Sequence, residues 1–138
     1  PFCGYNMGDY FAHWIAMGKK IPNPPKIFHV NWFRTDADGH FIWPGFGDNM
    51  RVLLWILARC EGKVDARETA IGYVPYAKDI NTEGLDITED TVNELLSVDT
   101  EAWLADVENI KEFYDMIGDT VPCELREELS ALKARLSK

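Results

Sequence analysis

The period of the apolar positions changes along this chain, and each change marks an element. In residues 6–17, Met7, Tyr10, Phe11, Trp14, Ile15 and Met17 recur at helical spacing and Gly18 follows, which predicts an amphipathic helix stopping at that glycine. Ile21-Pro22-Asn23-Pro24-Pro25 fixes φ at three prolines and removes their donors, so an extended loop is predicted next. Residues 26–33 then alternate with period two, placing Phe28, Val30 and Trp32 on one face and His29, Asn31 and Phe33 on the other. Thr35-Asp36-Ala37-Asp38-Gly39 is turn chemistry, and residues 40–43 read as a returning strand ended by Pro44-Gly45, so a β-hairpin is predicted.

Asp48 or Asn49 is positioned to cap a helix through Met50, Leu53, Leu54, Ile56, Leu57 and Cys60 to Gly62. Being apolar over much of its circumference, this helix is expected to be the central buried one. Residues 69–76 suit a short strand that Pro75 confines to an edge or an end. Thr88 heads a short helix to about Ser97. Asp99 or Thr100 caps a longer one with the stripe Trp103, Val107, Ile110, Tyr114 and Ile117, closed by Gly118. Pro122 opens a last helix carrying Leu125, Leu129, Leu132 and Leu136, a stripe read as core packing. The predicted class is α+β: an aromatic β-hairpin and a short strand packed with about five helices, the C-terminal half being helical.

At 138 residues, 46% hydrophobic and 27% charged with a mean hydropathy of -0.23, the chain has the composition of a folded single domain or lobe. The net charge of -9 is unevenly spread: residues 1–62 balance to +1 and residues 63–138 to -10. Twelve of the seventeen aromatics and all three histidines lie in residues 1–62, so candidate chemistry belongs to that part and residues 63–138 read as an acidic, mainly helical scaffold. An acidic total opposes nucleic-acid binding, which depends on Lys and Arg neutralising phosphates. No apolar run approaches a membrane span and the opening residues lack a secretory pattern. Cys3, Cys60 and Cys123 suggest neither a disulfide framework nor a thiolate zinc site, so a cytoplasmic location is expected.

His13, His29 and His40 share no metal-ligand spacing, and Asp36 and Asp38 read as turn formers because the full calcium-loop pattern is missing, so no metal site is assigned. No nucleophile elbow, Ser-His-Asp set or G-x-x-x-x-G-K-[ST] loop occurs, so no catalytic residue is assigned either. What stands out is Trp32, Phe33, Phe41, Trp43 and Phe46 falling within nineteen residues, the last flanked by Gly45 and Gly47. Two readings are open. The aromatics form a plain core, as in a noncatalytic helical interaction module, or they form a slot for a planar ring, since base–aromatic stacking is indifferent to the base's edge. In the second reading Asn49 reads that edge with an amide that both donates and accepts. A phosphate at Gly45-x-Gly47 is disfavoured by Asp48.

The runs P-F-C-G-Y-N-M-G-D-Y-F-A-H-W, K-I-F-H-V-N-W-F-R, F-I-W-P-G-F-G-D-N, I-G-Y-V-P and E-L-R-E-E-L-S-A-L-K-A-R-L together resemble the C-terminal part of the GTP-dependent phosphoenolpyruvate carboxykinases, over nearly the whole chain. The resemblance implies that Phe33, Phe41 and Phe46 sandwich guanine, that Phe46, Gly47, Asp48 and Asn49 meet the base edge, with Asn49 the specificity contact, and that Phe2 borders the oxaloacetate or phosphoenolpyruvate pocket. It implies GTP/GDP, or ITP/IDP, as nucleotides, and Mn2+ with Mg2+ on the nucleotide in the complete gluconeogenic enzyme. The family's phosphate loop, metal ligands, substrate-holding arginines and lid fall outside these residues, so the chain alone is expected to be inactive.

Overall fold

The computed structural model of the protein describes residues 3–138. Its contacts divide them into two compact units, one of residues 26–98 and one of residues 3–25 with 99–138.

In the 26–98 unit the expected hairpin is reduced to a tight reversal. Residues 26–33 form no strand; beyond them a single antiparallel bridge joins Thr35 to Phe41, flanked by the hydrogen bonds Ile42 N–H to Arg34 O (3.0 Å) and Asp36 N–H to His40 O (2.9 Å). A strand persists only where its amides find a partner strand, and here the Phe33 N–H donates instead to Asn31 Oδ1 at 2.9 Å. The alternation survives in part: Phe28 and Trp32 pack on the core, whereas His29, Asn31 and Phe33 are exposed. Val30, expected beside Phe28 and Trp32, is exposed. Asp36 is the turn former, its Oδ1 accepting from the N–H groups of Asp38 and His40, both at 2.9 Å.

Helix α1, in the other unit, spans Met7–Lys20, and α2, the first helix of the 26–98 unit, spans Asn49–Cys60 after a 3-10 turn at Phe46–Asp48. The turn carries the chain into α2 by bonding Asp48 N–H to Gly45 O and Asn49 N–H to Phe46 O, so neither Asp48 nor Asn49 caps the helix with its side chain. Nor is α2 the central buried helix. Among the described residues Trp55 is its buried residue, while Met50, Leu53, Leu54 and Leu57 are exposed. The sheet consists of β1 (Arg67–Thr69) and β2 (Gly72–Val74), antiparallel with Glu68 opposite Tyr73. The sequence reading of one strand over 69–76 thus gives way to a two-residue reversal at Ala70-Ile71, and β2 stops just before Pro75. Helix α3 (Glu89–Leu95) is capped as expected by Thr88 Oγ1, accepting from Thr91 N–H at 3.2 Å. The core gathers Trp43 and Trp55 with Ala77, Ile80 and Val92, joining aromatic and acidic parts of the sequence.

In the other unit, α1 is capped by Asn6 Oδ1 on the Gly8 N–H (2.7 Å) and runs through Gly18, which keeps an ordinary helical conformation. It ends instead at Ile21, whose extended conformation (ψ 123°) is the one Pro22 demands of its predecessor. Helix α4 (Thr100–Ile117) starts from Asp99, whose Oδ1 accepts from Ala102 N–H at 3.0 Å, and ends at Gly118 with φ 86°. Helix α5 (Cys123–Leu136) follows Pro122 and packs on α4. Val107, Val121 and Leu136 are buried here, with Leu125, Leu129 and Leu132 half-buried, as the stripes predicted. No helix among the described residues is long and apolar enough to cross a membrane.

Candidate functional site

The reversal at residues 34–42 brings Phe33 and Phe41 together, with ring centroids 5.8 Å apart and planes tilted by 58°. Both are open to solvent, Phe33 by 70% and Phe41 by 64%. Phe46, at the head of the 3-10 turn, is 96% exposed. The five aromatics of the sequence cluster therefore divide by burial: Trp43 is a core residue and Trp32 packs against that core, while the three phenylalanines are outside it. Within this unit the cluster is therefore not packed as one core: two of its rings are inside and three are outside. Among the described residues no ring contact joins Phe46 to Phe33 or Phe41, so the geometry pairs two of the three rings.

The platform is fastened from behind by Arg34. Its guanidinium donates to the carbonyls of Leu95 (3.3 Å) and Ser97 (3.4 Å) and to Ser97 Oγ (3.0 Å), tying the reversal to the end of α3. Sequence reasoning passed over Arg34; its position directly after Phe33 was the available signal. Gly45 has φ 85° and ψ -163°, a region open in practice only to glycine, and it turns the chain from Trp43 into the Phe46 loop. Gly47 has open space where a Cβ would stand, so the backbone there is approachable.

At the base of this loop Asn49 Oδ1 accepts from the Trp43 indole N–H at 2.8 Å, while Asp48 Oδ1 accepts from Arg51 Nε at 3.0 Å. Arg51 also donates to Asn81 O at 2.9 Å. The carboxylate of Asp48 is thus matched locally, and a shallow cavity of about 440 Å³ opens along Gly47, Asp48, Arg51 and Asn81. The structure accordingly places Phe33 with Phe41, and Phe46 to Asn49 on one short loop. Phe2 lies outside the described residues.

For a cation, Asp36, Asp38 and His40 offer ligand atoms within 4.8 Å of one another. The Asp36 carboxyl is held below its ordinary range chiefly by the His40 backbone N–H, against a smaller opposing effect of desolvation. Its Oδ1 is spent on two backbone N–H groups and all three side chains are exposed, which is the arrangement of a turn rather than of a built metal centre.

Residues 1–135 match the family model described as phosphoenolpyruvate carboxykinase C-terminal P-loop domain. Proteins named phosphoenolpyruvate carboxykinase [GTP] are 51% identical over 140 aligned positions in Treponema pallidum (strain Nichols), 48% over 137 in Chlamydia muridarum and 49% over 139 in Neocallimastix frontalis. Each alignment covers 99% of this chain and 23% of the relative, so the chain spans about a quarter of the length of these relatives.

Proposed function

The chain belongs to the GTP-dependent phosphoenolpyruvate carboxykinase family, and from that premise we propose that its 26–98 unit supplies the guanine-holding wall of an enzyme converting oxaloacetate and GTP to phosphoenolpyruvate, GDP and carbon dioxide. One observation carries this reading: Phe33, Phe41 and Phe46 are exposed beside a core that buries Trp43. Rings in that position offer faces to a purine, and stacking is worth about 1–3 kcal/mol per base. Phe33 and Phe41 provide one tilted pair of faces, Phe46 a third, and the backbone of Gly47 and Asp48 with the Asn49 amide meets the base edge.

In the proposed reaction, cleavage of the C–C bond to the departing carboxylate leaves an enolate, whose oxygen takes the γ-phosphoryl group as the bond to GDP breaks. Holding the base fixes where the phosphates can reach, so this wall contributes positioning rather than proton or phosphoryl chemistry. A divalent cation, manganese with magnesium on the nucleotide, neutralises phosphate charge in such an enzyme. The exposed turn of Asp36, Asp38 and His40 does not fit that role, and no step is assigned to these residues. ITP and IDP share guanine's six-position oxygen and belong to the same reading, as do Phe2 at the oxaloacetate or phosphoenolpyruvate pocket and a gluconeogenic role in the cytoplasm.

The test is Asn49→Ala in the full-length enzyme, with kcat/KM measured for GTP and ATP. Loss of an edge contact that leaves a mismatched polar group for the wrong base should lower the GTP-over-ATP preference about ten- to a hundredfold. An unchanged preference would remove the side chain from recognition.

A further inference from the structure

The bond between Trp43 and Asn49 has a directional consequence. An indole N–H only donates, whereas a side-chain amide presents an accepting oxygen at one end and a donating NH2 at the other. The 2.8 Å contact from Trp43 Nε1 therefore fixes which way round the amide lies: Oδ1 is engaged by the indole, and the NH2 is the end left for a ligand. Trp43 is only 6% exposed and belongs to the core with Trp55, Ala77, Ile80 and Val92, so its donor is held in place by packing. Asn49 is equally constrained, as the first residue of α2 with its N–H bonded to Phe46 O.

We infer that Trp43 is a positioning residue that sets the purine preference of the site without touching the nucleotide, by locking the Asn49 amide so that only its NH2 faces the base. The inference rests on the reading that Asn49 meets the six-position edge. Guanine and hypoxanthine carry an oxygen there and accept from the NH2; adenine carries an amino group, so two donors meet. An amide freed from Trp43 turns over at little cost and offers its oxygen to adenine instead. The lock is thus what makes an otherwise two-faced side chain discriminate.

Full-length enzyme carrying Trp43→Phe tests this, with kcat/KM for GTP, ITP and ATP measured beside Asn49→Ala. The expected result is a fall in both the GTP-to-ATP and the ITP-to-ATP ratios of about tenfold or more, with ATP turnover rising in absolute terms. Equal losses for all three nucleotides would mean that Trp43 is merely structural, and would overturn the inference while leaving the base site standing. A ratio unmoved by Asn49→Ala would overturn the base-edge reading and the inference with it. Because Trp43→Phe removes volume from a core, site-specific replacement of Trp43 by 3-benzothienylalanine, which keeps the bicyclic shape and lacks the N–H, is the companion variant. It should lower the ratio as Trp43→Phe does, and a wild-type ratio there would refute the lock.

Discussion

Phe41→Ala tests whether Phe41 is the nucleotide-facing ring proposed above or a core ring, and the structure sets the size of both effects. Fully burying a phenylalanine is worth about 1.5–3 kcal/mol, and an aromatic pair adds about 0.5–1.5 kcal/mol. Phe41 is 64% exposed, so about a third of the burial is at stake, together with part of the Phe33 contact at 5.8 Å. The stability cost should therefore be about 1 kcal/mol. Ile80, 6% exposed in the core of the same unit, gives the contrast: Ile80→Ala should cost about 2–5 kcal/mol through lost transfer energy and a cavity. Nucleotide binding should respond the other way. Losing one stacking face removes about 1–3 kcal/mol, a five- to hundredfold rise in the dissociation constant for GDP, and similarly for ADP because both purines have comparable faces. The assays are denaturant unfolding of the chain and GDP titration of the full-length enzyme followed by tryptophan emission. If Phe41→Ala destabilised the fold as much as Ile80→Ala and left GDP affinity unchanged, the exposed-platform reasoning would be refuted.

Gly45→Ala should weaken GTP and ATP binding together, because a Cβ at φ 85° and ψ -163° costs about 1–3 kcal/mol of backbone strain and the relaxation displaces Phe46; competitive binding of the two nucleotides checks it. Gly8→Ala should destabilise the unit of residues 3–25 and 99–138 by about 1–3 kcal/mol in denaturant unfolding, since the added methyl overlaps the Thr120 carbonyl, whereas Gly18→Ala, with open space at that position, should be neutral or stabilising. Glu124, bonded by Lys19 Nζ at 2.8 Å and further by its own backbone N–H, has its pKa lowered from 4.5 to about 2. A depressed carboxyl stabilises the fold above its unfolded value, and that increment is lost as pH falls from about 4.5 to about 2. Lys19→Met should therefore flatten the melting-temperature profile in that window, by a small amount because the pair is exposed, and an unaltered profile would contradict the assignment.

Local chemistry was legible where it is short-ranged. The caps at Thr88 and Asp99, the stop at Gly118, the stripes of α4 and α5 and the Asp36 turn all follow from residues a few positions apart. The helix end at Ile21 was also available, but Gly18 drew the boundary and Pro22 set it, since a glycine permits a helix to stop whereas a proline restricts the residue before it.

What the sequence by itself determined, then, is the family and the helices, and it supplied the residues from which the proposed base site is drawn. Motif order and local spacing carry that much. Within this chain, tertiary structure decided which aromatics face water, that residues 26–33 make no strand, that α2 buries Trp55 alone, and that Asn49 bonds Trp43 rather than capping its own helix. Each of these depends on a partner distant in the chain or on which side of an element is covered. A ring of phenylalanine has the same hydrophobicity in a core and in a slot, and only the packing of Trp43, Trp55, Ile80 and Val92 beneath the loop leaves Phe33, Phe41 and Phe46 outside.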